Sequence, residues 1–404
     1  MPGKGDSADR ELVSKGVLIV GGSVAGLTVA ETLREQGYTG AVAIIGSESE
    51  LPYQRPPLSK QFLSGQWNEE RVQLTSMKRL EELGIAFRMG VTAERLDPTE
   101  NKAFTTAGTF EYEHLVIATG AKARTLKGAS SQVQVSYLRQ LDDAKNLKSA
   151  IKAESQILIV GAGVLGSEMA ATLAKLGHRV TLVGNFPNPR LGADLEILSK
   201  AAKKILLDLG VELQMDCTVE ELSRTPVGTL AVLSNGFEVV ADLVIGAVGS
   251  VPNVSWLDGS GLDTSNGVLC DAIGRAASGI YAVGDVARWD NGLNEAGRIE
   301  HQMMAIGQAA SVGTLIATGK SGELPVPYFW SELADHKALI LGVVGADSEI
   351  EVVAGSEESL KFLAVAKSQG RIKGLVGLNM PKEFRAMRPV VERATRVNQG
   401  ERRQ

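Results

Sequence analysis

Two short stretches of this chain carry glycine at the spacing that lets a pyrophosphate reach the backbone. In GVLIVGGSVAGLTVAETLREQ the positions are Gly21, Ser23 and Gly26, with serine in the middle place. In QILIVGAGVLGSEMAATLAKL they are Gly161, Gly163 and Gly166. The first position permits a sharp turn, the second a close approach by phosphate, and the third tight packing of helix on strand. The helix behind each turn offers N–H groups and about half a positive charge to an anion. A lone match of this kind often serves packing only. Its recurrence far along the chain suggests two dinucleotide sites, one for a bound cofactor and one for a diffusing one.

Single charged residues stand at places where such units use them. Glu48 follows the second strand of the first unit, where an acid holds ribose hydroxyls or is simply a solvated loop charge. Asp285, in YAVGD, either accepts a hydrogen bond from a sugar or ribityl hydroxyl or caps a helix. Lys60 lies just beyond Pro56 and Pro57. A short helix starting after that pair places its ammonium in the first turn, against the helix dipole. Such a placement calls for an anion or an electron-rich ring in front of it; otherwise Lys60 is an exposed lysine. In the second unit the ribose position falls on Gly184, followed by Asn185. Arg190 is the nearest cation that reaches back, so NADH and NADPH both stay open.

The elements that position these residues are legible as period and punctuation. Continuous apolar runs at 17–20, 41–45 and 114–120 predict buried parallel strands, with a helix after the first. Residues 72–83 predict one helix, 85–92 a strand and 102–113 a hairpin. The second unit repeats the scheme: strand from Gln156, helix, strand at 179–183, helix at 194–209. An antiparallel excursion at 211–240 and a closing strand at 242–249 follow. A strand at 279–285 leads to a long helix at 299–317. From Leu324 the character changes to successive antiparallel strands at 337–344, 350–354, 360–366 and 371–378, with a turn at Ser368-Gln369-Gly370. A terminal helix at 382–396 carries Arg385, Arg388, Arg393 and Arg396, a docking patch or a solvated face.

At 404 residues the chain predicts two to three domains. Its 44% apolar and 22% charged residues are ordinary for a globular protein. A net charge of −5 gives no general affinity for nucleic acid or anionic membrane. The polar opening MPGKGDSADRELVSKG reads as a loose tail without a signal core. No apolar run approaches the roughly 20 residues of a membrane span, so a cytoplasmic protein is expected. Cys217 and Cys270 form no C-x-x-C or C-x-x-x-x-C pair, which argues against a dithiol relay. His114, His178, His301 and His336 have no metal-ligand spacing, and no metal is expected.

Together LPYQRPPLSK, the two glycine motifs in this order, YAVGD, RIEH and PYFWSE resemble the FAD-dependent ferredoxin reductases of bacterial oxygenase systems. Putidaredoxin, rhodocoxin and biphenyl dioxygenase reductases are of this type, and apoptosis-inducing factor is a relative. They belong to the pyridine nucleotide-disulfide oxidoreductases but lack the redox disulfide. The resemblance runs from Val17 to about Arg396. It implies an α/β fold of two Rossmann-like domains, for FAD and NAD(P), plus a C-terminal α+β domain with an antiparallel sheet. The implied boundaries are 14–123 with 248–323 for FAD, 124–247 for NAD(P), and 324–404 for the C-terminal domain.

By position, the resemblance implies FAD contacts from Gly21, Ser23, Val24, Ala25, Gly26, Glu48, Arg55, Lys60, Val91, Ala118, Arg139, Asp285 and Gln302, with Trp330 near the flavin ring. NAD(P)H falls to Gly161, Gly163, Val164, Leu165, Gly166, Glu168 and Gly249. Lys60 and Glu168 are implied to pair where hydride arrives, which would explain the awkward lysine. Several positions depart from the family: Ser47 for Asp, Gln302 for Trp, Leu333 and Ala334 for Gln-Tyr, and Leu339 for a polar residue. The C-terminal departures bear on the electron acceptor rather than on hydride delivery.

The activity implied is transfer from NAD(P)H through FAD, one electron at a time, to a [2Fe-2S] ferredoxin serving a P450 or Rieske oxygenase. The chain would act as a monomer or homodimer. Two other readings stand beside it: reduction of a small-molecule acceptor, and a redox-sensing binding protein like apoptosis-inducing factor.

Overall fold

The computed structural model describes residues 16–127, 132–193, 195–290, 297–322 and 326–400, the last five by backbone alone. The opening tail, Asp194 at the start of one expected helix, and the domain limits at 14, 323, 324 and 404 lie outside these residues. The chain divides into two units. One comprises Met1–Gln54, Gln73–Lys122 and Pro252–Pro325; the other comprises Arg55–Val72, Ala123–Val251 and Val326–Gln404.

In the first unit, Val17–Val20 lies between Val42–Ile45 and His114–Ile117, all parallel. Ile85–Arg88 extends one side and Ile280–Ala282 the other, with Arg275–Ala277 as an antiparallel edge. The central strand is apolar at every position because a parallel sheet is covered on both faces. The helix Val24–Glu35 packs on Gln302–Thr318, where a Cβ on Gly313 would come within 2.9 Å of Thr32 Cβ. Ala93–Asp97, Lys102–Thr105 and Gly108–Glu111 form a small antiparallel sheet.

The second unit holds another Rossmann-like sheet. Its parallel order is Glu212–Gln214, Arg179–Val183, Gln156–Val160, Leu243–Gly246 and Val135–Tyr137. Helices Val164–Lys175 and Glu196–Asp208 accompany it, and Val219–Thr225, Gly228–Leu233 and Glu238–Ala241 form a meander. An antiparallel sheet in the order Tyr328–Leu333, His336–Gly342, Arg371–Leu378, Lys361–Ser368, Glu349–Ser356 is packed by the helix Pro381–Gly400 through Phe384 and Val391. Two Rossmann-like sheets and a C-terminal antiparallel sheet with its helix are the expected fold class.

Local details differ from the sequence reading. Residues 72–83 are two helices, Glu69–Val72 and Met77–Glu82. Between them the Leu74 amide donates to Pro52 O at 2.8 Å, and Ser76 caps the second helix by accepting from the Arg79 amide. The stretch 211–240 is not wholly antiparallel, because Glu212–Gln214 joins the parallel sheet. Tyr328–Leu333, within the PYFWSE motif, adds a strand that the periodicity did not reveal. The helical turn near Lys60 begins at the proline pair, spanning Pro56–Ser59, so Lys60 is its C-cap rather than a first-turn residue. Proline prefers the first helical position because its missing N–H is not needed there. Lys60 therefore does not sit in the first turn of that helix.

Gly163 and Gly166 separate two uses of glycine. A Cβ on Gly166 would sit 1.8 Å from Gly161 O, while one on Gly163 meets nothing within 4 Å. Gly166→Ala is expected to cost about 3 kcal/mol, the upper end for overpacking. Gly163→Ala should cost less than about 0.5 kcal/mol. Paired denaturation curves check this, and equal losses would contradict it.

Candidate functional site

The first glycine turn is built by close backbone approach. Gly21 has φ +128°, and a Cβ there would lie 2.1 Å from Ala118 O; one on Gly26 would lie 2.0 Å from Gly21 O. Ser23 is the N-cap of the helix Val24–Glu35, yet its side chain makes no capping bond, and no acidic residue occupies the first turn. The helix therefore supplies no acid of its own to its N-terminus, an arrangement that suits a pyrophosphate. Ala118 sits at the neighbouring strand end, its amide donating to Val20 O at 2.7 Å.

Glu48 and Val91 meet at one side of this turn. The Gly90 amide donates to Glu48 O at 3.0 Å and the Val91 amide to Gly46 O at 2.9 Å. Tyr53 donates its hydroxyl proton to the Glu48 carboxylate. Asp285 lies in the turn Gly284–Val286, where a Cβ on Gly284 would touch Ala25 and Ala305 at 3.3 and 3.5 Å. The Gly284 amide donates to Gln308 Oε1 at 2.9 Å, and Arg298 donates to Asp285 O at 2.8 Å. Gln302 opens the long helix behind this turn, with His301 as its N-cap. The first unit therefore gathers Gly21, Ser23, Val24, Ala25, Gly26, Glu48, Val91, Ala118, Asp285 and Gln302 around its strand ends and helix starts. These surroundings fit FAD's adenosine, pyrophosphate and polyol portions.

The second turn repeats the geometry. Gly161 has φ +115°, and a Cβ would lie 2.2 Å from Ala247 O, the counterpart of Ala118 O. Gly163 caps the helix Val164–Lys175 and faces open space, again with no acid in the first turn. Val164, Leu165 and Gly166 form that helix start. Gly249 has φ +98° and its carbonyl accepts from the Arg124 amide at 2.9 Å. At Gly184 a Cβ would come within 2.6 Å of Ala162 Cβ and 3.3 Å of Met215 Cε, so an acidic side chain has no room there. The Arg190 amide donates to Ala162 O at 2.9 Å, and its guanidinium stacks 3.7 Å from the Phe186 ring centre. This cradle fits a pyridine nucleotide.

Five remaining predicted residues also belong to the second unit. Arg55 donates to Arg139 O at 2.6 Å, and Asp143 accepts from the Arg139 amide at 2.9 Å. Lys60 and Glu168 form a buried ion pair, Nζ to Oε2 2.6 Å, with side chains 9% and 8% exposed. Trp330 lies beside them, its ring centre 5.6 Å from Lys60 Nζ and 5.2 Å from Lys337 Nζ, within cation–π range. Ser59, Thr172 and Ser331 surround the pair and escaped the sequence reading. Ser331 had one signal: it shares a strand face with the buried Leu333.

Neither cysteine is a thiolate near neutral pH. Burial pushes the Cys270 thiol up to about 12 and raises Cys217 as well. Each lies in an apolar core, and the two belong to different units. No described helix is long and apolar enough to cross a membrane.

Two dinucleotide cradles, an antiparallel C-terminal sheet and no reactive dithiol define a flavin-dependent pyridine-nucleotide oxidoreductase. Residues 15–309 match the family described as pyridine nucleotide-disulphide oxidoreductase, and residues 328–403 match the reductase C-terminal family. The chain belongs to the pyridine nucleotide-disulphide oxidoreductases, and uses FAD and NAD(P)H. Rhodocoxin reductase of Rhodococcus erythropolis is 30% identical over 380 residues, 93% of this chain and 89% of that protein. A ferredoxin–NAD(P)(+) reductase of Sphingomonas sp. is 32% identical over 399 residues, covering 95% and 94%. Putidaredoxin reductase, solved in covalent complex with putidaredoxin, aligns with a TM-score of 0.89 at 26% identity, covering 95% of this chain and 94% of that one.

His301 gives the site a pH signature. Burial lowers its pKa from 6.5 to about 4, although Asp285 acts in the opposite sense. The folded state therefore keeps this imidazole neutral while the unfolded chain takes up a proton below pH 6.5. Stability is full above pH 6.5 and falls as pH drops toward 4, by about 3 kcal/mol in all. Denaturant unfolding at pH 7, 5.5 and 4.5 should show this loss reduced in His301→Gln. Parallel pH profiles would contradict it.

Proposed function

We propose that this enzyme passes electrons from NAD(P)H through FAD, singly, to a [2Fe-2S] ferredoxin that serves a P450 or Rieske oxygenase. The observation that carries this reading is the buried Lys60–Glu168 pair, set on the helix of the second glycine turn. Ferredoxin and rhodocoxin reductases among its relatives, and the putidaredoxin reductase likeness, support the acceptor class. The proposed domains are 14–123 with 248–323 for FAD, 124–247 for NAD(P) and 324–404 at the C-terminus. A cytoplasmic setting, as monomer or homodimer, belongs to the same proposal.

Bound FAD supplies the conversion of a two-electron donor into single electrons. The chain's own residues do the rest. The turns at Gly21–Gly26 and Gly161–Gly166 hold the two pyrophosphates, and Glu48 and Asp285 hold sugar and polyol hydroxyls. Arg55, Arg139 and Trp330 complete the cofactor contacts, and Gly249 the nucleotide contacts. Lys60 offers a fixed positive charge to the negative charge delivered with hydride. Glu168 orients Lys60 and the nicotinamide, so that alignment is set before reaction. No thiol is needed to relay electrons, in keeping with two buried, protonated cysteines.

Two of the three C-terminal departures are interior, whereas Ala334 is half-buried. Leu333 and Leu339 are 0% and 4% exposed; Leu339 belongs to the core under the terminal helix, while Leu333 shares the face of Ser331. These two leucines bear on packing, which supports the ferredoxin reading over a small-molecule acceptor at their positions.

Cytochrome c reduction by NADH and NADPH, with and without a [2Fe-2S] ferredoxin, tests the reading. A rise of about tenfold or more on adding ferredoxin is expected, by analogy with steered protein partners. No rise, alongside rapid reduction of a quinone, would overturn it. In stopped-flow, Lys60→Ala should slow flavin reduction by about a hundredfold, the scale of losing one electrostatic stabiliser. An unchanged rate would remove Lys60 from the mechanism.

A further inference from the structure

Glu168 is held by more than its lysine. Its Oε2 accepts from Lys60 Nζ at 2.6 Å and from Ser59 Oγ at 2.7 Å. Its Oε1 accepts from Ser331 Oγ at 2.7 Å. Ser59 and Ser331 are 2% and 0% exposed. Among the described residues, Ser331 is thus the hydrogen-bond donor to Oε1, and it comes from the C-terminal sheet.

The same helix face carries two further ties. Thr172 Oγ1 donates to Ser59 O at 2.9 Å, and Lys175 Nζ pairs with Asp335 at 2.9 Å. Glu168, Thr172 and Lys175 stand at i, i+4 and i+7, one stripe of the helix. That stripe meets the Ser59–Lys60 segment and the strand Tyr328–Leu333 with its following turn.

A carboxylate held through Oε2 alone is free to rotate about its terminal bond, a broad and soft torsion. Rotation would withdraw Oε2 from Lys60 Nζ. A donor fixed on Oε1 removes that freedom, because the two oxygens move together. Ser331 reaches Oε1 from a strand paired with His336–Gly342, so its backbone is itself anchored.

We propose that Ser331 is a positioning residue for hydride delivery, acting through Glu168 by fixing the carboxylate plane so that Oε2 stays on Lys60. This rests on the function proposed above for the Lys60–Glu168 pair. It gives the C-terminal sheet a part in nicotinamide-side chemistry, separate from any part in docking an electron acceptor.

Ser331→Ala tests this, with Glu168→Gln and the double variant completing a cycle. In stopped-flow with saturating NAD(P)H, Ser331→Ala should reduce its flavin about tenfold more slowly than wild type. On the Glu168→Gln background the same change should have no further effect. Flavin content and reduction by dithionite should match wild type. In the oxidised holoenzyme, the infrared carboxylate band identified by its loss in Glu168→Gln should shift in Ser331→Ala. An unchanged rate, multiplicative losses in the double variant, or an unmoved band would each overturn the role. A wild-type flavin that neither nucleotide reduces would instead overturn the underlying function, and the role with it.

Discussion

The second unit depends on one costly contact, the buried ion pair of Lys60 with Glu168. Two charges withdrawn from water lose hydration that their mutual attraction only partly restores. Removing one partner from such a pair leaves a buried charge uncompensated, at about 3–5 kcal/mol. The structure offsets this by saturating the carboxylate: three donors meet its two oxygens. Those donors come from the segment after the proline pair and from the C-terminal strand. A charge pair kept at this cost is more readily explained by chemistry than by stability, since apolar residues would pack the same space more cheaply.

Around it, the two dinucleotide cradles are variations on one solution. In each, a strand ends in a glycine with positive φ pressed against a carbonyl of the neighbouring strand, Ala118 in one and Ala247 in the other. In each, a later glycine lets the helix close on the turn. The middle position differs, serine in the first and glycine in the second, and in both the helix has no side-chain cap and no acid in its first turn. The cysteines stand apart in apolar cores, so the family's dithiol chemistry has no counterpart here.

Much of the fold was legible because local pattern and tertiary need coincide. Val17–Val20 and residues 157–160 are apolar without alternation, which only a doubly covered strand tolerates. The turn at Gln369-Gly370 was readable because both residues adopt positive φ, at 52° and 71°. Failures cluster where a distant segment intervened. Residues 72–83 have a helical pattern, but Leu74 is drawn out of the helix by Pro52. Glu212–Gln214 is too short to declare its parallel partner. Lys60 looked electrostatically strained only while the helix was assumed to start after the prolines.

Sequence alone determined the two nucleotide-binding turns and the absence of a cysteine relay. Their glycines serve contacts within a few residues or with the next strand, so spacing carries the information. Only the tertiary structure decided that Ser59 and Ser331 join Lys60 and Glu168, a pair the resemblance had implied, since the Ser59–Lys60 segment, Glu168 and Ser331 lie far apart in the chain and neither serine has a local pattern that names its partner. It also decided that Gly184 has no room for an acid and that Leu333 and Leu339 are interior. Those are matters of what lies across the space from a side chain, which order along the chain does not record.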